Sequence, residues 1–145
     1  AHLGADALAI SPNFAIDQTI LAGISAGQGI YRSTNGGTSW DFLNGTDGTD
    51  GTANLYIQSL AISPFYTCDH TIYAGEDSGV YVSRNSGQTW TQINEGFDGS
   101  ISILSIVYAP GKSSPAVTLF GGAVSNGVWQ YINPHSCTFI PLLVR

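Results

Sequence analysis

The phrase STNGGTSW, Ser33 to Trp40, returns as SRNSGQTW, Ser83 to Trp90, 50 residues later. One turn rich in Gly and Asn arises easily by chance. A turn that recurs with its Ser, Asn, Gly and Trp in register marks a repeated unit, and a repeat restricts the fold more than composition does. Laid against itself, the chain has three units. LAISP at Leu8 to Pro12 matches LAISP at Leu60 to Pro64 and, loosely, IVYAP at Ile106 to Pro110. TILAG at Thr19 to Gly23 matches TIYAG at Thr71 to Gly75 and TLFGG at Thr118 to Gly122. GIYRS at Gly29 to Ser33 matches GVYVS at Gly79 to Ser83 and GVWQY at Gly127 to Tyr131. The third unit erodes the closing phrase to INPHSCTF, with Phe139 at the Trp position.

Each unit holds four short β-prone runs parted by turn residues. They are expected at 7–11, 19–23, 29–34 and 39–43, then at 57–62, 71–75, 79–84 and 89–93, then at 103–109, 117–121, 127–132 and 138–144. No stretch sustains the 3.6-residue period of a helix, so helix content close to nil is expected. Four-stranded antiparallel units repeated every 40 to 50 residues or so are the pattern of propeller blades. The predicted fold is all-β and of β-propeller type, in one repeat domain over 1–145. Its three blades cover about 5–52, 53–100 and 101–145.

STNGGTSW and SRNSGQTW resemble the Asp-box, the Ser-x-Asp-x-Gly-x-x-Trp hairpin of BNR-type propellers found in sialidases, Vps10-type receptors, xyloglucanase-like glycosidases and photosystem assembly factors. AISPNFAIDQTILAG, Ala9 to Gly23, is similar to the first hairpin of bacterial secreted propellers of this class. The resemblance implies structural roles for Ser33, Asn35, Gly37 and Trp40, for Ser83, Asn85, Gly87 and Trp90, and for Phe139. Asn35 and Asn85 stand where the family has Asp, which keeps the turn-bonding acceptor and drops the charge. Trp folds back in such a hairpin as an apolar plug between sheets. Trp40→Ala and Trp90→Ala are therefore each expected to cost about 3–5 kcal/mol as core truncations. In the family this hairpin lies away from the ligand face.

Propellers close with about four to eight blades. Three blades leave two outer sheet faces bare, and large apolar patches are rare on soluble monomers. The expected remedy is self-association: a six-bladed dimer, or an open arc built into a fibre or surface assembly. A truncated piece of a longer propeller is the other alternative. The tail FIPLLVR resembles the hydrophobic, Arg-terminated ends of some bacterial secreted repeat proteins, which favours a natural end.

The chain has ten carboxylates against Arg32, Arg84, Lys112 and Arg145, a net charge of −6. Such a balance gives no footprint for nucleic acid or an anionic membrane. No apolar run reaches the eighteen or so residues of a spanning helix, so no direct membrane insertion is expected. The sequence starts at Ala1 without Met or an apolar leader, as a mature secreted or cell-surface protein does once its signal peptide is removed; a fragment starts the same way. With the strands of each blade ordered from the centre outward, Cys68 and Cys137 are expected on one face of neighbouring blades. A disulfide between them would stabilise by about 4 kcal/mol in the chain-entropy model. Two buried, unpaired thiols are the alternative.

Sialidase chemistry needs three converging arginines, and Arg32, Arg84 and the terminal Arg145 are the whole supply. Other glycosidases need two facing carboxylates. The face formed by the second-to-third-strand and inter-blade loops collects Asp47, Asp50, Glu76, Asp77 and Asp98 as a candidate ligand or Ca²⁺ face. In NGTDGTDGT, Asn44 to Thr52, Asp47 and Asp50 with nearby hydroxyls and carbonyls could supply the six to eight oxygens of Ca²⁺; a flexible loop is the plainer reading. Asn44-Gly45-Thr46 is the single glycosylation sequon. His2, His70 and His135 lack metal-ligand spacing. Tyr31, Tyr81 and Trp129 hold equivalent third-strand positions, where repetition points to packing between blades before sugar stacking. With no confident metal or cofactor and no catalytic constellation, the expected function is that of a non-catalytic extracellular structural or interaction protein, its partners being copies of itself and, further, a glycan or another surface protein. A carbohydrate-binding or glycosidase-like module is the first alternative, an accessory subunit of a membrane complex the second.

Overall fold

A computed structural model of the chain describes residues 4–24, 29–43, 55–93, 102–110, 117–123 and 127–133. Each repeat folds into its own antiparallel meander. The first sheet is β1 (Ala5–Ile10), β2 (Ile20–Ile24), β3 (Ile30–Ser33) and β4 (Asp41–Phe42), paired in that order. The second is β5 (Ser59–Ile62), β6 (Ile72–Glu76), β7 (Gly79–Ser83) and β8 (Thr91–Gln92). The third is β9 (Ile103–Pro110), β10 (Val117–Ala123) and β11 (Gly127–Asn133). Its expected fourth strand, 138–144, lies outside the described residues. The architecture is all-β and propeller-like, as the repeat predicts.

The registers repeat as the sequences do. Leu8 pairs with Ala22 in the first sheet and Leu60 with Ala74 in the second. Ile106 pairs with Gly121 in the third. The first strands β1, β5 and β9 lie against one another, so the sheets stack side by side in chain order, as blades do around an axis. The core is two inter-sheet layers. Leu21, Ile30 and Leu43 of the first unit pack on Ile57, Leu60, Ile72 and Trp90 of the second. Ala61, Tyr73, Val80 and Val82 of the second pack on Ile103, Ile106, Leu119 and Trp129 of the third. Alternating side chains of the middle sheet thus feed opposite layers.

Two one-turn helices depart from the expectation of nearly none: α1 (Phe14–Asp17) and α2 (Tyr66–Asp69), each linking the first two strands of its sheet. A matched polar network winds these links. Ser11 Oγ donates to Asp17 Oδ2 at 2.6 Å, and Asp17 Oδ1 accepts from Thr19 N at 2.9 Å. Ser63, Asp69 and Thr71 repeat the pattern at 2.6 and 2.9 Å. Gln18 and His70 then take left-handed conformations, with φ of 48° and 49°, and end the turns. A helix this short has no 3.6-residue periodicity to detect. Its signal is the Ser and the Asp six residues apart.

Candidate functional site

The middle sheet defines what a blade face looks like when covered, and the first sheet carries the same face uncovered. Leu60 is 7% exposed and its equivalent Leu8 66%; Trp90 is 5% exposed and Trp40 40%. Ile62 is buried and Ile10 exposed. Trp40 is therefore not the plug expected of its motif. The cause is positional: Trp90 packs against the first sheet, whereas no described sheet stands before Trp40. Ala5, Leu8, Ala22, Ile24, Tyr31 and Trp40 instead line an apolar groove of about 260 Å³. Tyr31 leans on Phe42 with ring centroids 5.0 Å apart. The third sheet bares the opposite face. Val128 is 75% exposed, while its equivalent Val80 is fully buried. Val107, equivalent to the buried Ala61, is exposed too. The remaining third-strand aromatics are packed: Trp129 is buried and stacked on Tyr131 at 5.6 Å, and Tyr81 rests on the first inter-sheet layer.

The two repeated phrases form turns of the same geometry. Asn35 Oδ1 accepts from Ser33 Oγ and from Ser39 N, both at 2.9 Å, and Asn85 Oδ1 accepts from Ser83 Oγ and Thr89 N at the same distances. Ser33 Oγ and Ser83 Oγ each accept from the glycine four residues on, Gly37 N and Gly87 N, at 2.8 Å. Trp90 adds a bond from Nε1 to Gly87 O at 3.2 Å. Gly36 N and Ser86 N bond back to the first link, at Gln18 O and His70 O, so the two turn-bearing loops of each sheet share one end of it. Arg32 crosses between sheets, donating from Nη1 to Ser86 O at 2.8 Å. That contact gives Arg32 a packing role.

At the other end of the middle sheet, Glu76 and Asp77 occupy the turn from β6 to β7. Glu76 is buried and accepts from Ser78 Oγ; Asp77 is exposed and accepts from Gln58 Nε2 and, at 3.0 Å, from Ser102 Oγ. Gln92 Nε2 donates to Ser78 O at 3.0 Å, and Ser102 Oγ also reaches Gln58 Oε1 at 2.9 Å. Because Ser102 leads into β9, this network clasps the second sheet to the third. Both carboxylates are engaged as acceptors within the fold. Asp47, Asp50, Asp98, Asn44, Cys137 and Phe139 lie outside the described residues. Among the described ones no cluster of three or more His, Cys, Asp or Glu gathers for a metal. Cys68 sits exposed on α2.

No family model matches the chain, and no curated protein does. Among solved structures the chain is similar to the crystal structure of an ancestral GH74 enzyme, with a TM-score of 0.51 and 20% identity over 89% of this chain. It spans 20% of that protein's length. Likeness at this level concerns the fold, and the fold it points to is a propeller.

Proposed function

We propose that this chain is a non-catalytic, extracellular propeller segment of Asp-box type whose function is assembly, with its end sheets as the association surfaces. The observation that carries the reading is the first sheet's bare face: Leu8, Ile10 and Trp40 repeat the residues that the second sheet buries against a neighbour. Burying a side chain such as Leu8 is worth about 1.5–3 kcal/mol, so this face favours a partner sheet over water. A disulfide between Cys68 and Cys137 would staple the second unit to the third in an oxidising compartment. Light scattering with electron microscopy of the same sample tests the reading. A discrete mass near two chains or a filament is expected; a stable compact monomer at tens of micromolar would sink it.

The carbohydrate-module alternative has one observation in its favour, the half-buried Tyr31 and exposed Trp40 in a groove. That groove is lined by apolar side chains and does not contain Glu76 or Asp77, whereas sugar recognition needs polar groups beside the aromatic platform. Binding on a glycan array that Trp40→Ala abolishes would reverse the preference.

A further inference from the structure

We propose that the occupant of the first sheet's bare face is the third sheet of a second copy of this chain, docked so that Ala5 of one copy enters the notch formed by Gly122 and Ser105 of the other. The proposal rests on the assembly reading and specifies which face meets which.

The two internal junctions use one device. Each second strand carries a glycine against which the next unit's first hydrophobic residue is pressed. A Cβ built on Gly23 would lie 2.5 Å from Ile57 Cγ2; one built on Gly75 would lie 2.8 Å from Ile103 Cγ2. Neither junction leaves room for any side chain at the glycine. Ile57 and Ile103 are accordingly buried. At the second junction a hydroxyl completes the fit: Ser59, paired across the ladder with Gly75, donates from Oγ to Ile103 O at 3.1 Å.

The third sheet carries both halves of that receptor. Gly122 is the equivalent of Gly23 and Gly75, and Ser105 is its ladder partner, as Ser59 is of Gly75. Among the described residues nothing fills the notch: a Cβ on Gly122 would meet only Ser105 Cβ there, at 3.8 Å. Ser105 is exposed. The matching knob on the first sheet is Ala5, at the position of Ile57 and Ile103, exposed at the rim of the apolar groove. Sizes at this third junction compensate. The knob shrinks from Ile to Ala, while the facing wall grows from Ala61 to Val107. Val128, placed like the buried Ile30 and Val80, supplies the rest of the wall. In the docked pair Ser105 Oγ donates to Ala5 O of the other copy, as Ser59 does to Ile103.

A contact between unlike faces closes a ring when two arcs return on each other, or propagates as a filament when they do not. Face-to-face pairing of two first sheets would join Leu8 to Leu8 and leave Gly122 empty in both copies. The glycine notch is what decides between the two.

The test mixes equal amounts of Ala5→Cys and Val107→Cys chains, which leave the Gly122 notch open, treats them with a short thiol cross-linker and maps the linked peptides by mass spectrometry, with light scattering beforehand. Links between the A5C and V107C positions are expected to dominate. Links between two A5C positions would overturn the docking while leaving assembly intact; a monomeric mass before treatment would overturn both. Independently, Gly122→Leu is expected to weaken association by at least about tenfold in dissociation constant with the dilute chain's unfolding midpoint unchanged, since the described residues leave room beside this half-buried position. Unaltered association in that variant would remove the notch from the interface.

Discussion

Trp40 and Trp90 close the same eight-residue phrase, follow turns with matching hydrogen bonds, and end in different surroundings. Trp90 lies in the layer between two sheets; Trp40 lines an open groove. The turn chemistry is local and needs no neighbour: Asn35 and Asn85 each hold their Oδ1 contacts at 2.9 Å whether or not the following Trp is covered. Burial is a property of the stack. A motif therefore specifies its hairpin, and the neighbour specifies what its Trp contributes.

The largest expected effect follows directly. Trp90→Ala should cost about 3–5 kcal/mol, the usual range for truncating a buried aromatic. Trp40→Ala should cost less than about 1 kcal/mol in the dissociated chain and weaken association instead. Urea unfolding at concentrations where light scattering reports single chains reads the two losses side by side. Equal losses there would mean that the first sheet's face is covered from within the chain, and the comparison would collapse.

A second contrast separates a filled junction from an open one. Gly75→Ala forces a Cβ against Ile103 and should cost about 1–3 kcal/mol as overpacking. Gly122→Ala has room and should change stability by no more than about 0.5 kcal/mol. Thermal unfolding of both variants in dilute solution checks the pair, and a severe loss at Gly122 would show that its notch is already occupied.

The polar links reverse the pattern, because they should not notice the stack at all. Asp17→Ala and Asp69→Ala each remove the acceptor of a buried serine and of a backbone amide. Each should cost about 1–3 kcal/mol, and the two values should agree within about 0.5 kcal/mol. A clearly smaller effect for Asp17→Ala would mean that the bare first sheet is loosened through to its loops.

What could be read from the chain tracks the range of the interactions. The sheet order and registers were legible because the repeat places LAISP, TILAG and GIYRS in three successive copies, and strand pairing within a meander follows sequence order. The helical turns lie outside that pattern because SPNFAIDQT and SPFYTCDHT carry their signal in side-chain acceptors, Asp17 and Asp69, rather than in apolar periodicity. The exposure of Trp40 was not in its motif: Trp40 and Trp90 share it, and only the position of the unit in the stack separates them. Of the candidate face, Glu76 and Asp77 alone fall among the described residues. Glu76 and Asp77 do share a turn, yet their engagement by Ser78, Gln58 and Ser102 depends on loops that the repeat pattern does not register.

The smallest effect distinguishes the two turns themselves. Gly36 and Ser86 hold equivalent sites in the left-handed region, with φ of 66° and 58°. Gly adopts that conformation freely, whereas a residue with a Cβ is strained there by about 1–2 kcal/mol. Part of this gain is offset by the greater freedom of Gly in the unfolded chain, so Ser86→Gly should stabilise the second unit by about 0.5–1 kcal/mol. Gly36→Ser should destabilise the first by a similar amount. Ser86 O remains available to Arg32 Nη1 in either case, because that contact uses the main chain. Calorimetric midpoints of the two variants, measured with the wild-type chain, test the pairing of signs. A loss in Ser86→Gly would mean that the serine side chain contributes more to the second turn than its backbone conformation costs.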